Sequence, residues 1–254
     1  MSINQLSGDI ITVRDLKVQY GDRVILENVN FDIKRGEIFV IVGGSGCGKS
    51  TLLRQLIGLE NPTEGQIIID GEELTQADEK ETVSIMRKNG VLFQFNGLFA
   101  SMTLEENIAL ILERYTGLSP RQIKEVVDLK LSLVGLSGFQ NYKPAEISGG
   151  MKKRAALARA MALDPNILFF DEPSSGLDPL TSASLDQLIT ELNSALQTTM
   201  VVVSHDLSSI LSISHRIIML DSEVRGILAA GTPEELSTYK DNENVYRFFN
   251  RQLE

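Results

Sequence analysis

Nine consecutive residues, Gly43-Gly44-Ser45-Gly46-Cys47-Gly48-Lys49-Ser50-Thr51, have the types and spacing of a loop that holds a polyphosphate. Glycines let successive backbone N–H groups turn inward and approach phosphate oxygens with no Cβ in the way. Lys49 supplies a mobile cation for the β- and γ-phosphates, and Ser50 a hydroxyl for Mg²⁺. An apolar run, Ile38-Phe39-Val40-Ile41-Val42, precedes the loop, and a helix through Leu52, Leu53 and Leu56 follows it. The positive end of that helix points at the anion. Cys47 reads as a small filler inside the loop. Gly43 to Thr51 are thus the expected nucleotide contacts.

Two further polar groups follow apolar runs. Ile167-Leu168-Phe169-Phe170 ends in Asp171-Glu172, a carboxylate pair. Beside a phosphate loop, Asp171 suits the Mg²⁺ shell and Glu172 can accept a proton from an attacking water. On their own, the same acids could simply cap a strand before the turn at Pro173. Met200-Val201-Val202-Val203 ends in Ser204-His205, which places His205 for a γ-phosphate contact. His215, before Arg216, reads as structural.

These groups need elements to position them. The three runs are apolar at successive positions, as in strands of a parallel sheet covered on both faces. Ligands of such sheets bind outside the carboxyl ends of the strands, so Lys49, Asp171 and His205 are expected at one edge. Asp178-Pro179 opens a helix with Leu185, Leu188, Ile189, Leu192 and Leu196 on one stripe. Ser119-Pro120 opens another, with Ile123, Val126, Val127, Leu131 and Val134 on one face. The stretch from about residue 95 to 161 reads as an inserted helical subdomain. Segments 10–18, 24–33 and 66–69 alternate and read as antiparallel strands. Val245, Phe248, Phe249 and Leu253 form an amphipathic stripe in a tail, 241–254, that packs on its own core or on a partner.

Composition narrows the class. At 43% hydrophobic and 23% charged, the chain suits a globular fold. The net charge of −10 and the lack of a dense basic block argue against a nucleic-acid partner. The nearest candidate, Lys152-Lys153-Arg154 with Arg159, reads as a solvated helix face. No run of 18 apolar residues is present, so no spanning helix is expected. The first ten residues lack the basic and apolar regions of a signal peptide. One cysteine, Cys47, allows no internal disulfide and suits a reducing, cytoplasmic setting.

One more segment bears on the class. Ile147-Ser148-Gly149-Gly150-Met151 opens a helix shortly before Asp171 and resembles the Leu-Ser-Gly-Gly-Gln signature of ABC ATPases. Tyr20 looks like that family's adenine-stacking aromatic and Gln94 its Q-loop glutamine. Ser175-Gly176-Leu177-Asp178 resembles its D-loop, and His205 its switch histidine. The resemblance spans nearly the whole chain. It implies an α/β fold: a P-loop NTPase (RecA-like) core with a mostly parallel sheet, an antiparallel β subdomain and the helical insert, over residues 1–240. It further implies two chains closing head-to-tail around two ATP molecules. Ser148, Gly149 and Gly150 of one would then meet the γ-phosphate held by Lys49 of the other. Glu172 is the implied base, Asp178 of the D-loop an implied nucleotide contact, and Ser50, Gln94 and Asp171 the implied Mg²⁺ ligands. Gln94 is also the implied link to a membrane partner.

The signature departs from the family at Ile147 and Met151. Met151 and the following Arg-Ala-Ala-x-Ala-Arg-Ala resemble the subgroup serving MCE-type lipid transporters, as do residues 92–99 and the tail. That likeness implies phospholipid transport between the two membranes of a Gram-negative envelope, maintaining outer-membrane lipid asymmetry. The implied partners are a second copy of the chain, an integral permease, an MCE-domain protein and a STAS-domain subunit, at the cytoplasmic face of the inner membrane. An ATPase for another solute such as an amino acid stays open at this point, as does a soluble ABC ATPase acting on ribosomes or DNA. A P-loop kinase leaves residues 148–151 and His205 unexplained.

Overall fold

The computed structural model of the chain describes residues 8–250. Its order is β1 (Asp9–Tyr20), β2 (Arg23–Lys34), β3 (Ile38–Gly43), α1 (Lys49–Leu56), β4 (Glu64–Ile69), β5 (Glu72–Glu73), α2 (Glu79–Met86) and β6 (Asn89–Leu92). Helices α3 (Leu104–Tyr115), α4 (Pro120–Leu133) and α5 (Gly149–Ala160) follow. The chain closes with β7 (Ile167–Asp171), α6 (Pro179–Leu196), β8 (Thr199–Val203), α7 (Leu207–Ile213), β9 (Arg216–Asp221), β10 (Gly226–Gly231), α8 (Pro233–Ser237) and α9 (Glu243–Asn250).

Six strands form one sheet in the order β10-β9-β3-β8-β7-β6, parallel except for β10. Each central strand divides its apolar side chains between two cores, because successive residues of a strand point to opposite faces. Ile38, Val40 and Val42 of β3, Phe170 of β7 and Val202 of β8 enter one cluster; Phe39, Ile41, Phe169 and Val201 enter the other. Burial on both faces explains the unbroken apolar runs 38–42, 167–170 and 200–203. The second cluster is closed by α1, through Leu52, Leu53 and Leu56, and by an antiparallel sheet ordered β2-β1-β4-β5. The expected antiparallel strands are therefore present, as is the phosphate-loop strand at the centre of the parallel sheet.

The first cluster is covered by helices. Residues 95–161 contain α3, α4 and α5 and no strand, as expected of a helical insert. Ile123, Val127 and Leu131 of α4 turn inward, and Thr103 caps α3 through a reciprocal box with Glu106. Ala155, Ala156, Leu157 and Ala158 are all buried; small side chains let α5 lie close to α3, α4, α6 and β6. The amphipathic stripe of α9 packs on the chain's own core: Val245 and Phe249 are buried in the first cluster, with Phe248 beside it. Leu253 lies outside the described residues. Strands β6 and β9 had no sequence reading; β9 pairs directly with β3. Among the described residues no helix is long and apolar enough to cross a membrane.

Candidate active site

Loop 43–48 leaves the carboxyl end of β3 with backbone that only glycine tolerates at its first position. Gly43 has φ +145°, and a Cβ there would lie 2.3 Å from the Leu220 carbonyl oxygen and 2.6 Å from Cys47 Sγ. Gly48 caps α1 without a side-chain hydrogen bond, so the first N–H groups of that helix stay open for an anion. Lys49 folds back and donates to the Gly43 and Gly44 carbonyls, 2.8 Å each. Ser50 is exposed at the helix start, with Thr51 beside it half-buried. Cys47 is buried, as a filler should be; burial pushes its thiol up, countered by the Lys49 charge.

Strand order brings the other chemistry to this edge. Strand β8 lies between β3 and β7, so Asp171 and Glu172 leave the sheet beside Ser204 and His205. Glu172 Oε2 stands 2.7 Å from His205 Nδ1. Glu172 itself has φ +49°, a left-handed conformation that a glutamate adopts only under constraint from its surroundings. Its N–H bonds the Val203 carbonyl at 2.9 Å, which fixes that turn against β8. Burial raises the Asp171 carboxyl, as does the neighbouring Glu172 charge, while Arg54 and Lys153 oppose the rise.

The remaining expected residues spread around this centre. Gln94, exposed after β6, donates from Nε2 to Ser175 Oγ at 3.4 Å, so its amide oxygen is not used in that bond. Asp178 caps α6, accepting from the Leu180 and Thr181 N–H groups and the Thr181 hydroxyl; the hydroxyl holds its carboxylate low. Tyr20 is 46% exposed, bonds the Glu60 carboxylate and lines a cleft of about 590 Å³ with Gly46, Arg23, Ser222 and Arg225. The last three had no sequence signal. Ser148 caps α5 by accepting from the Met151 N–H at 3.3 Å, and both it and Gly149 are exposed. Gly150 lies against Thr181, Gly149 against Leu177. His215 is structural as expected: its Nδ1 accepts from the Ile38 N–H, at the opposite end of β3.

One expectation fails. Lys153 is not on a solvated face but 3% exposed, donating to the Gln94 carbonyl at 2.7 Å and to that of Glu172 at 3.5 Å. Burial lowers its ammonium, and the charges of Asp171 and Glu172 hold it up. Helix phase carried the missing signal: Lys153 precedes buried Ala156 and Leu157 by three and four positions, hence shares their face.

The donors that could meet a metal are the Ser50 hydroxyl, the Asp171 carboxylate and the Gln94 amide oxygen, all hard oxygen ligands. Among the described residues no group of three or more His, Cys, Asp or Glu could cage an ion unaided. Such a sparse set fits Mg²⁺, which keeps waters and shares substrate phosphates.

Comparison with known proteins agrees with this arrangement. The family model described as "ABC transporter" matches residues 26–175. The ATP-binding protein MlaF of the intermembrane phospholipid transport system of Haemophilus influenzae is 40% identical, over 93% of this chain and 89% of its own. A Mycobacterium leprae protein named "Probable ribonucleotide transport ATP-binding protein mkl" is 42% identical, over 96% of this chain and 69% of its own. Among solved structures, a dimeric ATP-binding cassette in a post-hydrolysis state with ADP and Pi superposes with a TM-score of 0.79 at 33% identity, over 87% of this chain and 98% of that one. With a phosphate loop, paired carboxylates and a capped signature helix in one fold, the chain belongs to the ABC transporter family, as its ATP-hydrolysing subunit.

Proposed function

We propose that this chain powers phospholipid transport between the inner and outer membranes of a Gram-negative envelope, as a homodimer bound to an integral permease at the cytoplasmic face of the inner membrane. An MCE-domain protein and a STAS-domain subunit complete the assembly in this reading. The observation that carries the two-chain part is the contrast between a furnished phosphate loop and an exposed, capped helix start at Ser148. The near full-length identity to MlaF supports the cargo, together with Met151, which packs half-buried where the family's glutamine would present an amide.

In the mechanism, Lys49 exchanges the Gly43 and Gly44 carbonyls for the β- and γ-phosphates of ATP. Tyr20 supports the adenine, and Ser50, Asp171 and Gln94 would hold Mg²⁺, which would supply neutralisation of phosphate charge. Glu172 accepts the proton of the attacking water. His205, whose Nδ1 stands 2.7 Å from the Glu172 carboxylate, orients that carboxylate and faces the γ-phosphate. Ser148, Gly149 and Gly150 of the partner close the site through the open N–H groups of α5. Asp178, beside them, lies at the same junction.

The relative from Mycobacterium leprae favours a second cargo, a ribonucleotide. Purifying the permease complex and identifying its bound cargo by mass spectrometry separates the two. Phospholipid, with ATP-dependent lipid transfer between vesicles, is the expected result; a soluble solute in its place overturns the assignment.

A further inference from the structure

The helix that opens at Ser148 carries two cations that reach back to one loop. Lys153 Nζ donates to the Gln94 carbonyl at 2.7 Å and lies 3.5 Å from that of Glu172. Arg159, on the same helix, donates from Nη1 to the Gly97 carbonyl at 2.9 Å and sets its guanidinium 5.3 Å from the centre of the Phe99 ring. Three segments therefore meet at the Lys153 ammonium: α5, the loop that carries Gln94, and the turn that carries Glu172.

A cation is a costly way to fill a buried position, since an apolar side chain of similar length would pack there without desolvation. What the ammonium supplies and methionine cannot is simultaneous attachment to two main-chain carbonyls. The junction also keeps unused bonding capacity. Two of the three buried side-chain polar atoms without a partner among the described residues, Asn96 Oδ1 and Arg159 Nε, belong to it. Asn96 is left-handed, with φ +67°. Unmet donors and acceptors beside a constrained turn suit a contact that exchanges partners as the loop moves.

We infer that Lys153, with Arg159 as a second anchor, is a positioning residue that ties the chain's own nucleotide site to the signature end it offers the partner's site. Gln94 and Glu172 face this chain's ATP, whereas Ser148 and Gly150 face the other. Because α5 is one rigid helix, a shift of loop 94–99 pulled through Lys153 moves Ser148 as well. ATP bound in one site thereby sets the geometry of the other. The inference rests on the two-chain reading above and adds the residue that links its two halves.

Steady-state hydrolysis by the full chain over a range of ATP concentrations tests this, alongside equilibrium binding of a fluorescent ATP analogue. Lys153→Met should lower kcat about tenfold while KM and nucleotide affinity change less than about threefold, and the Hill coefficient should fall toward one. Lys153→Arg, whose guanidinium can still reach both carbonyls, should recover most of kcat and the cooperativity. Lys153→Gln, an uncharged donor, should fall between. A Lys153→Met kcat within about twofold of wild type overturns the inference. So does a loss confined to KM, a loss that Lys153→Arg leaves unrepaired, or failure of both the Met and Gln variants to fold. A wild-type chain that hydrolyses ATP without cooperativity and without an ATP-driven dimer would fault the two-chain reading itself.

Discussion

Helices α1 and α5 begin alike, with glycine and hydroxyl residues at a helix N-terminus, but they are furnished differently. Before α1 the chain folds back so that Lys49 sits on the Gly43 and Gly44 carbonyls, and strand order adds Asp171, Glu172 and His205. Before α5, Ser148 caps its own helix and stands exposed, with Leu177 and Thr181 as the neighbours of its glycines. The first end can hold a polyphosphate and act on it. The second offers N–H groups and a hydroxyl, while Lys153 and Arg159 of its helix turn away to the Gln94 and Gly97 carbonyls. Similar local sequence thus yields a furnished loop in one place and, in the function proposed above, half of a site in the other.

The sharpest way to break this contrast is at the base. Glu172→Gln should lower turnover by about 10²- to 10⁴-fold, the range for a lost general base, and leave ATP bound. Phosphate release and nucleotide binding measure the two effects, and undiminished release would remove Glu172 from the role. Next in size, Lys49→Ala should weaken nucleotide binding about 10- to 100-fold, the worth of a charge-assisted hydrogen bond. Titration with a fluorescent ATP analogue reads it.

The signature end should respond as Glu172 does, in turnover, and not as Lys49 does, in binding. A Cβ at Gly150 would lie 2.4 Å from Thr181 Cγ2, so Gly150→Ala must either turn Thr181 away from its hydroxyl bond to Asp178 or part α5 from α6. Hydrolysis should fall about tenfold while nucleotide affinity of the single chain holds. Thr181→Ser deletes that methyl and keeps the hydroxyl that bonds Asp178, so the double variant should regain most of the activity. Absence of rescue would mean that Gly150 matters for close approach of a partner and not for packing on Thr181.

The smallest effect belongs behind the edge, where α6 meets α7 and neither region is touched. Asp186 is buried, its carboxyl raised above the ordinary 3.8 first by burial and also by the Asp206 charge, against a hydrogen bond from Ser209. A raised native value means the folded chain holds this proton after the unfolded chain has lost it. Its stability contribution is therefore greatest below the ordinary value, declines as pH rises toward the native one, and is level above that. Asp186→Asn removes that decline. Denaturant unfolding across the acid range should show the variant gaining on wild type as pH rises, with hydrolysis unchanged.

How far the sequence reaches follows from what each feature needs. The phosphate loop is contiguous, and β3, β7 and β8 carry unbroken apolar runs because both faces are covered, so both could be read directly. The Glu172–His205 pair could not, since it depends on β8 lying next to β7, an order that no local pattern records. Strand β6 is four residues with an internal glycine, too short for periodicity, and β9 ends in no motif. Lys153 was misread because charge was weighed before helix phase. The stripe of α9 was legible, but its partner was not until Val245 and Phe249 were seen in the core.

The central claim is that α5 presents half of a site that a second chain completes around ATP. Light scattering on the full-length Glu172→Gln variant, with ATP, with ADP and without nucleotide, tests it most directly. The mass of two chains with ATP and of one chain otherwise is the expected result. The mass of a single chain at saturating ATP, or a dimer under all three conditions, would contradict it.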